Sequence, residues 1–503
     1  MLLSLAAPAF ALLVFILLFG LDTALWAVLW LSCLVLFAAL GLRKWLRRVL
    51  PPKQEGVIAF FHPNANGGGG GERVLWAAVK AVQETFPLAK VVIYLGDSLS
   101  GEQLRKSALS GFNVELPRSI EVVKLAEVDL LKPERYPHFT LVGQAAGSVG
   151  LGLAALRRLV PEVMVDTSGW AFAYPLARLA GVRVAAYVHY PTVSADMLAA
   201  VVARRPGFNN DPALAASWAR SAAKLAYYCV FAAAYGAAGG CANAVMVNSS
   251  WTAGHIARLW WRVEPPLRVF PPCDTAALAA LPLDRKLKRL YLVSLAQFRP
   301  EKDHAMQLRA FSRARRRAAG CAGHVADAVL AARLVLIGGC RGPADEARAA
   351  DLRVLADQLG LGSAVDFAIN VPFSEVTALL AGAVGGLHTM RDEHFGISVV
   401  QYMAAGVVPI AHNSGGPAAD IVTLEEVPGG LQATGYLCAS EDEFAAAITD
   451  VLAMDQVSRL RLAAAARRKA AEFSDARFAA GFLEALQPLL PPRMVTASSV
   501  AVG

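Results

Sequence analysis

Arg289 to Leu308 reads RLYLVSLAQFRPEKDHAMQL. A short apolar run breaks at Phe298-Arg299-Pro300 and passes into a helix-forming stretch. Strands this continuously apolar are covered on both faces, as in parallel sheets. The pattern continues downstream through RLVLIGGC (333–340), AVDFAIN (364–370), VGGLHTM (384–390) and VVPIAHNS (407–414), each followed by a helical pattern. It is also present upstream, in VIAFFHP (57–63) with a helix from Glu72, VVIYLG (91–96), IEVVKL (120–125), VMVDTSG (163–169), RVAAYVHYP (183–191) and AVMVNSS (244–250). Strand and helix in alternation predict a parallel sheet wrapped by helices. The restart after the loop CDTAALAALPLDRKLKR, with a boundary near Asp274 to Arg289, makes two such blocks. The expected fold is therefore α/β, with two Rossmann-like domains facing a cleft, at 56–275 and 286–473. A helix at 474–490 would cross back to the first domain, and residues after about Gln487, the tail 491–503 above all, read as frayed. Ligands of such sheets bind beyond the carboxyl ends of the strands, so the loops there are the candidate site.

The chain has 503 residues, 56% of them hydrophobic and 17% charged, which excludes a disordered protein. Part of its net charge of +8 is local, because residues 1 to 50 hold Arg43, Lys44, Arg47 and Arg48 against Asp22 alone. The rest is spread thinly, which is no footprint for nucleic acid. Seven scattered cysteines without a CxxC pair argue against a disulfide framework and a zinc site, and for a reducing compartment.

Met1 to Leu42 carries no charge but Asp22, and is too long for a signal-peptide core. Split at Asp22, it gives two pieces of about the ~20 residues that cross a bilayer, so residues 1–50 read as a membrane anchor of one span or a hairpin with a basic flank. The positive-inside rule places that flank, and the chain beyond it, in the cytosol. A second uncharged stretch, Leu225 to Gly254, fits a buried helix followed by a strand, a peripheral membrane face, or a span. The sequon Asn248-Ser249-Ser250 is expected to stay bare in a cytosolic domain.

Three constellations carry chemistry. In FFHPNANGGGGGER (60–73) the glycines Gly67 to Gly71 open a helix. Gly68, Gly69, Gly70 and Gly71 would let the backbone approach an acceptor or a phosphate, whereas the bland alternative is a flexible turn. The loop is not a Walker A motif, since no Lys-Ser/Thr closes it. In SLAQFRPEKDHAMQL (294–308), Arg299 and Lys302 stand just past a strand end, where two cations and helix N–H groups can stabilise a departing diphosphate. In LHTMRDEHFGISVVQYMAAG (387–406), Glu393 sits in a loop, Gly396, Ile397 and Ser398 begin a helix whose N–H groups face an anion, and Gln401 lies within its first turns. Polar groups strung along a strand end are costly without partners and usually hold a ligand.

These strings, with DTSGWAFAYPL (166–176), YVHYPTVSADM (187–197), VMVNSSWTAGHI (245–256), PPCDT (271–275) and AHNSGGPAADIV (411–422), resemble the retaining GT-B glycosyltransferases. More closely, the chain is similar to the α-1,2-mannosyltransferases that extend the dolichol-linked oligosaccharide of asparagine-linked glycosylation at the cytosolic face of the endoplasmic reticulum. The resemblance implies a GT-B fold, GDP-mannose as donor on the C-terminal domain and a dolichol-pyrophosphate oligosaccharide as acceptor on the N-terminal one. It implies addition of the fourth and fifth mannoses, a membrane setting with cytosolic catalytic domains, and other mannosyltransferases of the pathway as further partners. On the same basis Arg299 and Lys302 contact the GDP phosphates, Glu393 binds hydroxyls of the transferred mannose, and Gly396 to Ser398 lie beside the diphosphate. His189, in YVHYP, falls where related enzymes place a histidine near the reacting sugar. A lone histidine at a strand end is otherwise more often structural.

One position departs from the family pattern, in which a second Glu comes after the first with seven residues between and binds the ribose. Here Gln401 stands there. Its carbonyl oxygen can still accept a ribose hydroxyl, without the strength of a carboxylate. No Asp-x-Asp occurs to clamp a divalent ion, so no metal or other cofactor is expected. Two rival readings remain: another nucleotide-sugar enzyme of the same fold, which would need no membrane segment, and a catalytically impaired scaffold, suggested by Gln401 alone.

Overall fold

The computed structural model describes residues 21–65, 67, 69–204, 217–285, 289–428 and 430–495. The first apolar piece, up to residue 20, and Gly68 lie outside them. The chain divides into two compact units, one drawn from the described residues of Met1–Asn248, Thr252–Val269 and Ala479–Gly503, the other from Ser249–Trp251 and Phe270–Phe478.

In the first unit β1 (Lys53–Phe61), β2 (Lys90–Leu95), β3 (Glu121–Lys124), β4 (Val160–Asp166), β5 (Arg183–Val188), β6 (Ala244–Val247) and β7 (Leu267–Arg268) form one parallel sheet, ordered β3-β2-β1-β4-β5-β6-β7. Strand order reverses between β1 and β4, and that switch point opens a crevice above the carboxyl ends of the strands. β4 is buried along its whole length, including Glu162 and Asp166, as a central strand covered on both faces is. β3 and β7, which the core does not cover, are short edges.

The second unit repeats the plan. β8 (Tyr291–Leu295), β9 (Arg333–Gly338), β10 (Val365–Ile369), β11 (Gly385–His388), β12 (Val408–His412) and β15 (Tyr436–Cys438) are parallel in the order β10-β9-β8-β11-β12-β15, and β13 (Leu424–Val427) pairs antiparallel with β14 (Gly430–Ala433) as a separate hairpin. Side chains alternate between two cores, Leu292, Leu334 and Leu336 on one face and Val293, Val335 and Ile337 on the other. The apolar run that starts at Leu290 is thus the centre of the second sheet.

A 29-residue helix, Leu21–Val49, precedes the first sheet. Within its stretch Leu25–Val49 an 18-residue window reaches a mean hydropathy of 2.4, and the stretch is long and apolar enough to cross a membrane. Its end is tied down: Leu46 is fully buried in the first core, and the Arg157 guanidinium lies 5.7 Å from the Trp45 ring centre. Within Leu225 to Gly254 the structure places the end of the helix Trp218–Gly240, then β6 and the start of the helix Ser250–Leu259. Tyr228, Phe231 and Tyr235 of the first of these helices enter the core.

Two local readings are corrected. The helix after β1 begins at Gly70, not Glu72, because Glu72 reaches back to the Gly69 N–H at 2.8 Å and satisfies it two residues early, the Glu half of a capping box. The tail is not frayed as far as it is described, since Arg493 pairs with Glu55 at 2.6 Å and Met494 is buried. The helix Asp475–Leu486 ends near them, with Phe482 stacked on Phe60 at 6.5 Å.

Candidate active site

Lys302 and Glu393, separated by ninety positions, meet across the switch point of the second sheet. Lys302 closes the loop after β8 and Glu393 lies in the loop after β11, and Lys302 Nζ donates to Glu393 Oε2 at 2.5 Å. β8 and β11 pair only through Leu292 with Gly385 and Val293 with Gly386, then part. The Tyr402 hydroxyl fills the gap, accepting from the Leu295 N–H at 2.5 Å and donating to the Leu387 carbonyl at 3.2 Å. The opening of the sheet therefore leaves no stranded backbone group at those two positions.

Four further contacts fix the Glu393 loop. His388, at the end of β11, donates from Nε2 to Glu393 Oε2 at 3.2 Å, while its Nδ1 is buried without a partner. The His394 N–H donates to Oε1 at 3.1 Å. The Gly416 N–H donates to the Glu393 carbonyl at 2.7 Å. Gly415, at φ +63°, passes so close that a Cβ would stand 2.2 Å from that carbonyl oxygen, so glycine is required there. Burial would raise the Glu393 carboxyl, but the hydrogen bond from His388 and the charge of Lys302 outweigh it and hold the group well below the usual range. The side chain stays 13% exposed, so the carboxylate keeps an open side.

The Lys302 loop is held as firmly. Thr389 Oγ1 lies 2.8 Å from the Lys302 carbonyl and 3.0 Å from that of Asp303, and receives the Gln307 amide at 2.9 Å. Asp303 caps the helix His304–Ala319 through the Met306 N–H. Below it His304 stacks on Phe298 at 5.1 Å, and burial pushes its ring down to about 4. Arg299, one turn before Lys302 and half-buried, makes no ion pair among the described residues. Gly396, at φ +109°, starts the helix Ile397–Ala405, leaving the N–H groups of Ile397 and Ser398 without helical partners. Gln401 is half-buried on that helix's second turn. Arg299, with no carboxylate on its guanidinium among the described residues, and this helix start are what the unit offers an anionic ligand.

The first unit has its own strand-end group. His189, just past β5, has Nε2 3.1 Å from the Thr167 carbonyl and stands beside Gly71, where a Cβ would lie 3.6 Å from the same nitrogen. Asn248 of the sequon is buried and donates to the His189 carbonyl at 2.8 Å, so its amide is committed internally. Asp166 ends β4 fully buried with five donors: the Ser168 N–H and hydroxyl, the Gly169 and Trp170 N–H groups, and the Tyr174 hydroxyl at 2.6 Å. His62 Nδ1 meets Thr167 Oγ1 at 2.8 Å, and burial pushes the ring down to about 4, which keeps it neutral.

Sequence reading found Glu393, Lys302, Arg299 and His189 but gave no role to His388, Gly415, Tyr402 or Asp166. His388 was visible as part of a strand-end loop. Tyr402 carried no signal, since one aromatic in an apolar helix reads as core.

Residues 55–260 match the family model described as ALG11 mannosyltransferase N-terminus, and residues 282–469 match Glycosyl transferases group 1. The chain is 45% identical to the mouse protein named GDP-Man:Man(3)GlcNAc(2)-PP-Dol alpha-1,2-mannosyltransferase, over 87% of this chain and 88% of that one. It is 44% identical to the human protein of that name over the same shares, and 37% identical to that of Caenorhabditis elegans over 84% and 89%. Among solved structures it resembles a sucrose-phosphate synthase from Thermosynechococcus elongatus, with TM-score 0.60, 15% identity, and 87% and 99% of the two chains covered. A trehalose-phosphate synthase from Burkholderia xenovorans gives TM-score 0.59 at 14% identity over 86% and 99%. At that identity the likeness is one of fold.

Proposed function

The chain belongs to the family of GDP-Man:Man(3)GlcNAc(2)-PP-Dol alpha-1,2-mannosyltransferases, and we propose from that premise how its residues serve the reaction. It is a GT-B enzyme that transfers mannose from GDP-mannose in α-1,2 linkage to Man(3)GlcNAc(2)-PP-dolichol. Its lipid-linked substrate and its apolar N-terminal helix associate it with a membrane. In our reading that membrane is the endoplasmic reticulum with the catalytic units cytosolic, and the enzyme acts twice, adding the fourth and fifth mannoses.

The second unit holds the donor. The observation that carries this is the Glu393 carboxylate, clamped by Lys302 and His388 yet open on one side, with Arg299 near in sequence. Glu393 accepts hydroxyls of the mannose on its open side. Arg299, Lys302 and the Ile397 and Ser398 N–H groups receive the diphosphate, whose charge grows as the sugar bond breaks. Lys302 then shares its charge between phosphate and carboxylate, which ties sugar orientation to leaving-group stabilisation. The anomeric carbon develops oxocarbenium character and the acceptor hydroxyl attacks from the face the diphosphate leaves, so configuration is retained. Gln401 accepts a ribose hydroxyl. In the first unit His189 lies near the reacting sugar, and the Gly69 to Gly71 turn faces the acceptor's phosphates.

The test is incubation of the purified full-length protein with GDP-mannose and Man(3)GlcNAc(2)-PP-dolichol, then sizing of the released glycan. Growth by two α-1,2-mannosidase-sensitive hexoses is expected. Growth by one would remove the second transfer, and none would overturn the reading.

A further inference from the structure

At the carboxyl ends of β4 and β5 the first unit encloses a cavity of about 150 Å³, walled by Leu141, Ala145, Trp170, Phe172, Tyr190 and Phe231. Gln144, Ser168 and Thr192 share its lining with these residues, and the first two are already engaged. Gln144 donates to the Leu131 carbonyl at 2.7 Å, and the Ser168 hydroxyl lies between Asp166 and the Phe61 carbonyl. The volume is one that a six-carbon ring fills in other proteins, and Phe172 and Phe231 give it an aromatic wall.

Aromatic rings lead outward from it. Phe172 lies 5.3 Å from Phe231, Phe231 lies 6.4 Å from Tyr227, and Tyr227 lies 5.5 Å from Phe139, which is 71% exposed. Val142 and Val230 extend this apolar strip on the surface. Phe139 is anomalous in its own right. It occupies the N-cap of the helix Thr140–Arg158 at φ +52°, without a side-chain cap bond. A bulky residue in the left-handed region is an outlier, and Asn would suit both the backbone and the cap better. An exposed ring kept where the local chemistry disfavours it points to something the ring meets. The other end of the same helix carries Arg157, which holds Trp45 of the apolar N-terminal helix. The strip therefore lies along the element to which the candidate membrane span is tied.

We infer that this track takes the polyprenyl chain of the lipid-linked acceptor, with the first isoprene unit in the cavity and later units along Phe231, Tyr227 and Phe139. The inference rests on the acceptor assigned above. Holding the chain there delivers the pyrophosphate and its glycan to the strand ends of the first unit, and makes lipid length part of acceptor recognition.

The test compares wild type with Phe139→Asn and Tyr227→Ser, each full-length in detergent, on Man(3)GlcNAc(2)-PP acceptors carrying either a long polyprenyl chain or one isoprene unit. Phe139→Asn is expected to unfold at no lower temperature than wild type, which separates recognition from folding. Each variant should raise KM for the long acceptor roughly fivefold to tenfold, the loss of one aromatic wall, with kcat and KM for GDP-mannose unchanged. On the one-isoprene acceptor, which does not reach these rings, variants and wild type should coincide. An unchanged KM on the long acceptor overturns the inference. So does loss of co-sedimentation with phospholipid vesicles at unaltered detergent kinetics, which would assign the rings to the bilayer surface. Wild type that elongates neither acceptor overturns the acceptor assignment itself.

Discussion

Asp166 and Glu393 occupy matching places in the two sheets, at the end of β4 and just beyond β11, each the strand next after the switch point. Both are largely withdrawn from water, yet they are satisfied in opposite ways. Asp166 is enclosed by five neutral donors, and burial pushes its carboxyl above the ordinary value despite them. Glu393 is met by a lysine and a histidine that hold it below the ordinary value, and one side stays open. Neutral donors filling every lone pair make a structural hub that shapes a loop. A lysine and a histidine on one oxygen, with the side chain still partly exposed, make a group that can exchange protein partners for ligand ones. On the proposed reading, the same topological position serves architecture in one unit and donor chemistry in the other.

Alanine at each position separates the two most sharply. Glu393→Ala should lower kcat by about a thousandfold, the scale of losing a main polar contact to the transition state, with a loss of stability smaller than that of Asp166→Ala. Asp166→Ala removes the acceptor of five hydrogen bonds, one of them from the buried Tyr174 hydroxyl, and should cost about 3 kcal/mol of stability. Radiolabelled mannose transfer and thermal unfolding read both. If Asp166→Ala folded with wild-type stability and lost only activity, Asp166 would belong to the reaction and the contrast would fail.

A smaller effect lies in the pH dependence of stability, where the two carboxyls have opposite signs. Glu393 has its folded value below the ordinary 4.5, so its contribution is complete above that pH and is lost as pH falls toward the folded value. Asp166 has its folded value above the ordinary 3.8, so its contribution is complete below that pH and is lost as pH rises through the folded value. Urea midpoints at successive pH values should therefore show the deficit of Glu393→Gln shrinking on acidification below 4.5. The deficit of Asp166→Asn should instead grow on acidification. Parallel curves would mean that Lys302 and His388 do not govern Glu393.

The comparison also explains what could be read in the sequence. Both sheets were legible, because strands buried on two faces leave continuous apolar runs such as VMVDTSG and RLVLIGGC, and because the restart after Arg289 repeats the pattern. Glu393, Lys302 and Arg299 were legible as polar residues at strand ends. That Lys302 touches Glu393 was not, since ninety residues of sheet separate them and only the crossing of β8 and β11 joins them. Asp166 was quoted only inside a motif, because a carboxylate neutralised by backbone donors leaves no charged partner in the sequence. The early start of the helix at Gly70 escaped for a related reason: a run of glycines carries no capping signal, and the cap is supplied from within the helix by Glu72. Tail order depended on Arg493 finding Glu55, a pairing between opposite ends of the chain.

Gln401 gives the smallest expected effect and tests how far the open side of the donor site extends. It lies one helical turn beyond Ser398, half-buried on a helix whose first N–H groups we assign to the diphosphate. An amide oxygen there accepts a ribose hydroxyl as a neutral acceptor, and a carboxylate would make the same bond charge-assisted and roughly twice as strong. Gln401→Glu also brings a negative charge to the N-terminal half of a helix, where the dipole favours it. Against both stands repulsion between the new carboxylate and the diphosphate. Because we assign that charge to Arg299 and Lys302, the attraction should prevail, and GDP-mannose should bind about threefold to tenfold tighter by isothermal titration, with kcat nearly unchanged. An unchanged affinity would remove the side chain from the nucleotide contact and leave Glu393 the one carboxylate position of the donor site that matters. A weaker one would mean that the phosphates lie closer to Gln401 than to the cations, and the roles given to Arg299 and Lys302 would have to be exchanged with those of the helix.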